Sequence, residues 1–167
     1  MKLTELFDRP LEHSALRPYE NGYVAWFYVG TRLTYVFEAN QDSHTDPYVI
    51  YFSLIYAQPD RETLIDDPYG DAAWTQIQKE MTVSTQKMTG TGDSIRVIGT
   101  IASIFKQFVQ QIKPRRLSFS AKIKDRGRVL LYRRLAGMAG KELGYLVEER
   151  ETEYEFIWDL WKRYKNN

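Results

Sequence analysis

The chain has 167 residues, 43% of them hydrophobic and 27% charged, which suits one globular domain long enough to bury a real core. It has no cysteine, which excludes disulfides, thiolate nucleophiles and cysteine-ligated metals, and only His13 and His44 could offer imidazole. The formal net charge of +1 hides an uneven distribution: residues 113–134 hold nine basic residues and one acid, Asp125, leaving 14 basic and 21 acidic residues elsewhere. A local excess of that size predicts either an anionic partner or a solvated helix face.

The first ten residues carry charge too early for the apolar core of a signal peptide, and no stretch approaches the length needed to cross a membrane. A cytoplasmic protein is therefore expected, one that acts without a membrane. Pro10 and Pro18 break any long helix near the start. Three short runs rich in β-branched and aromatic residues then follow, at 22–30, 33–39 and 48–57, with turn residues between them. They predict an antiparallel meander, and the nearly continuous apolar run at 48–57 predicts a strand covered on both faces. Residues 58–73, with five acids and repeated Pro and Gly, read as a long loop. A weaker strand is expected over 79–87.

The clearest periodicity comes next. Val97, Ile98, Ile101, Ala102, Phe105, Phe108, Val109 and Ile112 recur at steps of three and four, predicting a helix over 93–112 capped by Asp93 or Ser94 and stopped by Pro114. Leu117, Phe119 and Ala121 alternate with Arg116, Ser118 and Ser120 as a strand. A second helix over 126–143 would bury Val129, Tyr132, Leu135, Ala136, Ala139 and Leu143, ending at Gly144-Tyr145. A closing hairpin is expected to set Tyr154, Phe156, Trp158 and Leu160 against Glu151, Glu153, Glu155 and Asp159. The order is βββ(β)-α-β-α-β-β: one α/β (α+β) domain spanning 1–167, with a single mixed, mostly antiparallel sheet and two main helices.

Two chemical readings attach to these elements. The glycine-rich turn Thr89-Gly90-Thr91-Gly92-Asp93-Ser94 precedes a helix N-terminus, where unpaired backbone N–H groups and a partial positive charge suit phosphate. Gly90 and Gly92 would let a ligand approach the backbone closely, whereas Asp93 would serve equally as a simple N-cap. The arginines of the basic segment, Arg126, Arg128, Arg133 and Arg134, would contact nucleic-acid phosphates or another anion. Neither histidine has metal-ligand spacing, so no metal is expected.

This order and these signals together resemble the acyl-CoA N-acyltransferase (GNAT) fold over about residues 80–150. The residues that carry the resemblance are Gly90-Thr91-Gly92 before a helix, the strand Leu117-Ser118-Phe119-Ser120-Ala121, the pair Leu131-Tyr132 and Gly144-Tyr145. Arg96 and Gly99 match two fixed positions of the family's cofactor pattern, and Ile101 stands where that pattern has Gly or Ala. The resemblance implies that Gly90, Thr91, Gly92, Asp93, Ser94 and Arg96 hold the pyrophosphate of acetyl-CoA or another acyl-CoA. It implies that Tyr132 is the acid that protonates the departing thiolate, and that an amine substrate attacks between splayed central strands. A core tyrosine is the alternative for Tyr132. More narrowly, Thr-Gly-Thr-Gly-Asp-x-x-Arg-Val, Phe119-Ser120-Ala121 and Arg128-x-x-Leu-Tyr-x-Arg-Leu135 look like small tailed-phage proteins of unassigned function. That likeness implies a viral origin, with host cytoplasm or virion as the location. The functional expectation is a divergent N-acyltransferase or a relative that has lost catalysis. The alternative is a virion or host-interaction protein that binds protein or nucleic acid through residues 113–134.

Overall fold

A computed structural model describes residues 11–29, 33–55 and 94–163. They form a mixed α/β structure with a seven-stranded, mostly antiparallel sheet and two helices. The strands are β1 (Arg17–Tyr19), β2 (Gly22–Val29), β3 (Leu33–Asn40), β4 (Tyr48–Ile55), β5 (Arg116–Lys122), β6 (Tyr145–Glu151) and β7 (Glu155–Lys162). The helices are α1 (Ser94–Ile112), between β4 and β5, and α2 (Arg126–Glu142), between β5 and β6. In space the strands run β1-β2-β3-β4-β5-β7-β6, and every neighbouring pair is antiparallel except β4 and β5. None of the described helices is long and apolar enough to cross a membrane. The strand expected at 79–87, the loop at 58–73 and the glycine turn at 89–93 lie outside the described residues.

Each element follows from its side chains. In α1 the buried residues Val97, Ile101, Ile104, Phe105, Phe108 and Val109 trace one stripe, and Lys113 takes a positive φ just before Pro114 ends the helix. Thr100 is fully buried within this helix. Its hydroxyl donates to the Arg96 carbonyl at 2.7 Å and accepts from the Leu11 N–H at 2.8 Å, tying the chain before β1 to α1. Helix α2 is capped by Asp125, which accepts the Arg128 N–H at 3.2 Å. At its far end Gly144 adopts φ 78°, a conformation that glycine takes at little cost. The next residue, Tyr145, is buried and donates its hydroxyl to the Pro114 carbonyl.

Four details differ from the sequence reading. Strand β1 is additional; its three residues pair with β2 through a turn in which Glu20 has φ 48°. Leu131 joins the buried set of α2, while Leu143 is a half-buried C-cap. In the closing hairpin Tyr154 lies in the turn and is 74% exposed, so only Phe156, Trp158 and Leu160 face inward. The Thr152 hydroxyl accepts from the N–H groups of Tyr154 and Glu155, and this turn interrupts the alternation of Glu151, Glu153 and Glu155. Finally, the stretches covered on both faces are Val24 to Val29 of β2 and Thr34 to Phe37 of β3, whereas Tyr51 of β4 is 49% exposed.

The core lies between the sheet and the two helices, and aromatic rings run across it. Phe108 of α1 packs on Phe37 at 5.6 Å, and Phe37 packs on Phe52 at 5.2 Å. Phe52 meets Tyr132 of α2 at 6.3 Å. Tyr132 then contacts Phe119 at 5.3 Å and Trp158 at 6.1 Å. Tilted and edge-on pairs of this kind contribute beyond their buried area. The series passes from β3 through β4 to β5 and β7, with a helix ring inserted where β4 and β5 part.

Candidate functional site

Among the described residues, that parting brings chemistry-bearing side chains together. The parallel ladder between β4 and β5 consists of Tyr48 opposite Leu117 and Val49 opposite Ser118. Beyond these two pairs β4 continues to Ile55 beside β3 and β5 to Lys122 beside β7, without further pairing to each other. A strand that loses its neighbour leaves backbone N–H and C=O groups to be satisfied by other means.

Helix α2 satisfies them at Phe52. The Phe52 N–H donates to the Tyr132 hydroxyl oxygen at 3.3 Å, and Arg128 Nη2 reaches the Phe52 carbonyl at a long 3.5 Å. Arg128 and Tyr132 are four residues apart, so one face of the helix presents both side chains to the split. Asp125 steers the guanidinium, with its carboxylate 3.6 Å from Arg128 Nε while it also caps the helix. Both side chains of this ion pair are largely enclosed, at 18% and 21% exposure. Burial pushes the Tyr132 phenol above its ordinary value, against the opposing effects of the Arg128 charge and the Phe52 N–H. Tyr132 therefore keeps its proton at neutral pH, but it is 1% exposed and walled by Phe119 and Trp158.

Beside the split, on the other side of Trp158, lies a second polar group. Glu149 accepts the Trp158 indole N–H and the Arg133 Nε–H on the same oxygen, each at 2.7 Å. Arg133 also lies over the Phe156 ring at 5.2 Å. The Arg133 hydrogen bond holds the Glu149 carboxyl below its ordinary value of 4.5; burial opposes this and the Trp158 N–H reinforces it. A carboxylate depressed on folding contributes stability above its unfolded pKa, and that contribution is lost as pH falls through the folded value. Thermal melts of Glu149→Gln should accordingly lose less stability than the wild type as pH drops below about 4.5. Parallel curves for the two proteins through that window would remove Glu149 from the acid response.

The residues singled out from sequence divide into three groups. Gly90, Thr91, Gly92 and Asp93 lie outside the described residues; Ser94 opens α1, and Arg96 is exposed in its first turn. Tyr132 and Arg128 meet at the split. The arginines do not form one anion-binding surface: Arg128 turns inward, Arg133 is held by Glu149, and Arg126 and Arg134 face outward from α2. Phe52, Asp125, Glu149 and Trp158 join the site without having been singled out. Only Asp125 left a local signal, an acid three residues before Arg128 at a helix start. Among the described residues no group of three or more His, Asp or Glu side chains could hold a metal.

Comparison with known proteins finds no matching family model, no similar curated protein and no similar solved structure.

Proposed function

We propose that this is a GNAT-like protein that has lost acyl transfer and serves as a binding scaffold. A parallel strand pair that separates after two residue pairs, with a helix tyrosine projecting into the gap, supports the GNAT-like part of this reading. The loss of acyl transfer rests on one observation. Both peptide groups of Phe52 that face the gap are taken by side chains of α2, the N–H by Tyr132 and the carbonyl by Arg128.

An acyl-CoA would not suit this arrangement. Its acyl arm would have to displace an arginine held by Asp125 and reach a phenol that is 1% exposed. General acid catalysis requires the phenol within hydrogen-bond reach of the departing atom. Around Tyr132 that space is filled by Phe52, Phe119 and Trp158. The remaining role is recognition, consistent with the virion or host-directed setting that the phage likeness suggests.

A thermal melt with 1 mM acetyl-CoA tests the reading. A ligand at 100 times its dissociation constant stabilises by about 2.7 kcal/mol, which raises the melting temperature of a domain this size by about 5 to 10 °C. No shift is expected. A rise of several degrees in the wild-type protein would overturn the proposal and restore the enzyme.

A further inference from the structure

Helix α2 turns Arg128 and Tyr132 toward the sheet and leaves a different stripe facing water. Arg126, Leu130, Arg134, Gly137 and Lys141 follow one another at steps of four, four, three and four, which is one continuous line along an α-helix. All five are exposed. The line spans about 22 Å at 1.5 Å per residue.

This line combines an exposed leucine with positive charge along its length. Leu130 sits one turn from its N-terminal end and is 60% exposed, although Arg126 and Arg134 lie one turn away on either side and could fold their stems over it. Gly137 has open space above it, since a Cβ added there would meet nothing within 4 Å. Among the described residues Arg126, Arg134 and Lys141 have no acidic partner, and the one acid of α2, Glu142, pairs with Lys106. Leu130 gives this line an apolar contact point, and Gly137, two turns further on and about 10 Å away, gives it a flat step within a basic surround.

We propose that this outer face of α2 docks an acidic amphipathic helix of another protein, with an apolar side chain of the partner seated on Leu130 and the partner's backbone crossing Gly137 two turns further on. The positive charge selects the sign of the partner, and the same charge repels a second copy of this face. Leu130 favours protein over nucleic acid, because phosphates would pair with the arginines and leave the leucine in water. Gly137 allows the close backbone approach that a helix needs. The face lies apart from the split, so the two readings fail separately: acetyl-CoA binding would overturn the one and leave the other standing.

The test uses the full chain and a fluorescein-labelled 20-residue peptide with leucines at helical spacing on one face and glutamates elsewhere. A scrambled peptide of equal composition and a 20-base-pair DNA duplex run alongside it. Polarisation should show saturable binding of the amphipathic peptide alone. Leu130→Ser should weaken that binding by about tenfold or more, as expected for losing one buried leucine contact. Its melting temperature should stay within about 2 °C of wild type, since the site is exposed. The double variant Arg126→Glu with Arg134→Glu should weaken binding and reduce its dependence on salt. Equal binding of the scrambled peptide overturns the proposal, as does absence of binding at millimolar peptide. Tighter binding of the duplex that Leu130→Ser leaves unchanged overturns it in favour of nucleic acid.

Discussion

Replacing Phe108 by alanine is expected to lower the free energy of unfolding by about 3–5 kcal/mol, a large part of the roughly 5–15 kcal/mol that a domain of this kind possesses. Phe108 is fully buried, and its ring joins three strands to α1: Tyr23 of β2 at 5.9 Å, Phe37 of β3 at 5.6 Å and Tyr48 of β4 at 5.4 Å. The surrounding rings cannot easily close the space left behind. Their positions are set by the continuous β2–β3 and β3–β4 ladders, which hold the strands in register on the far side of the cavity. The loss should therefore include a cavity term as well as the transfer term. Phe108→Leu, which keeps most of the volume, should lose much less. Urea titration of both variants checks this, with the midpoint moving and the slope nearly constant. A loss below about 1 kcal/mol for the alanine variant would mean that α1 does not seat on β2–β4 through this ring.

The role of Phe108 was legible because it depends on local spacing. A residue that returns to one side of a helix every three or four positions declares its face wherever the helix lies. The same holds for Leu117, Phe119 and Ala121 in β5. What escaped was set by contacts distant in sequence. β1 has three residues, one of them Pro18, and exists through its pairing with β2 rather than through any alternation of its own. Tyr51 looked buried because its run is apolar, yet it is exposed on the face of β4 opposite the buried Ile50 and Phe52. Nothing in an unbroken apolar run tells which of its two faces the helices cover.

The site follows the same division. Tyr132 was singled out through the acyltransferase resemblance, while its place on the apolar stripe of α2 supported the alternative of a core tyrosine, with Arg128 one turn before it. Its partner was invisible, since Phe52 enters through its backbone, 80 residues away, and any residue but proline at position 52 would offer the same N–H. Glu149 was hidden for a related reason. The glutamates of the closing hairpin look alike in sequence, and only the pairing of β6 with β7 puts Glu149 beside Trp158 and within reach of Arg133.

Tyr132→Phe should destabilise the protein by about 1–3 kcal/mol, although it deletes a single oxygen. In the β3–β4 ladder Phe52 stands opposite Phe37, and its N–H points instead into the split, where no carbonyl of β5 pairs with it. The phenol oxygen of Tyr132 is its acceptor, at 3.3 Å in a buried setting. Removing that oxygen leaves a buried donor unsatisfied, which costs more than the hydrogen bond itself is worth. Arg128→Met, which keeps an apolar stem and loses the long contact to the Phe52 carbonyl, should cost less. Because both side chains hold the backbone of one residue, on its two flanking peptides, their effects should couple, with the double variant departing from additivity by about 0.5 kcal/mol or more. Hydrogen exchange at the Phe52 amide gives a local readout that global stability does not. It should be slow in the wild type, accelerate in Tyr132→Phe and change little in the Glu149→Gln variant, whose carboxylate lies beyond Trp158. Unchanged exchange at Phe52 in Tyr132→Phe would mean that the split is not closed by this phenol, and the case against an acyl-CoA in that gap would lose its main support.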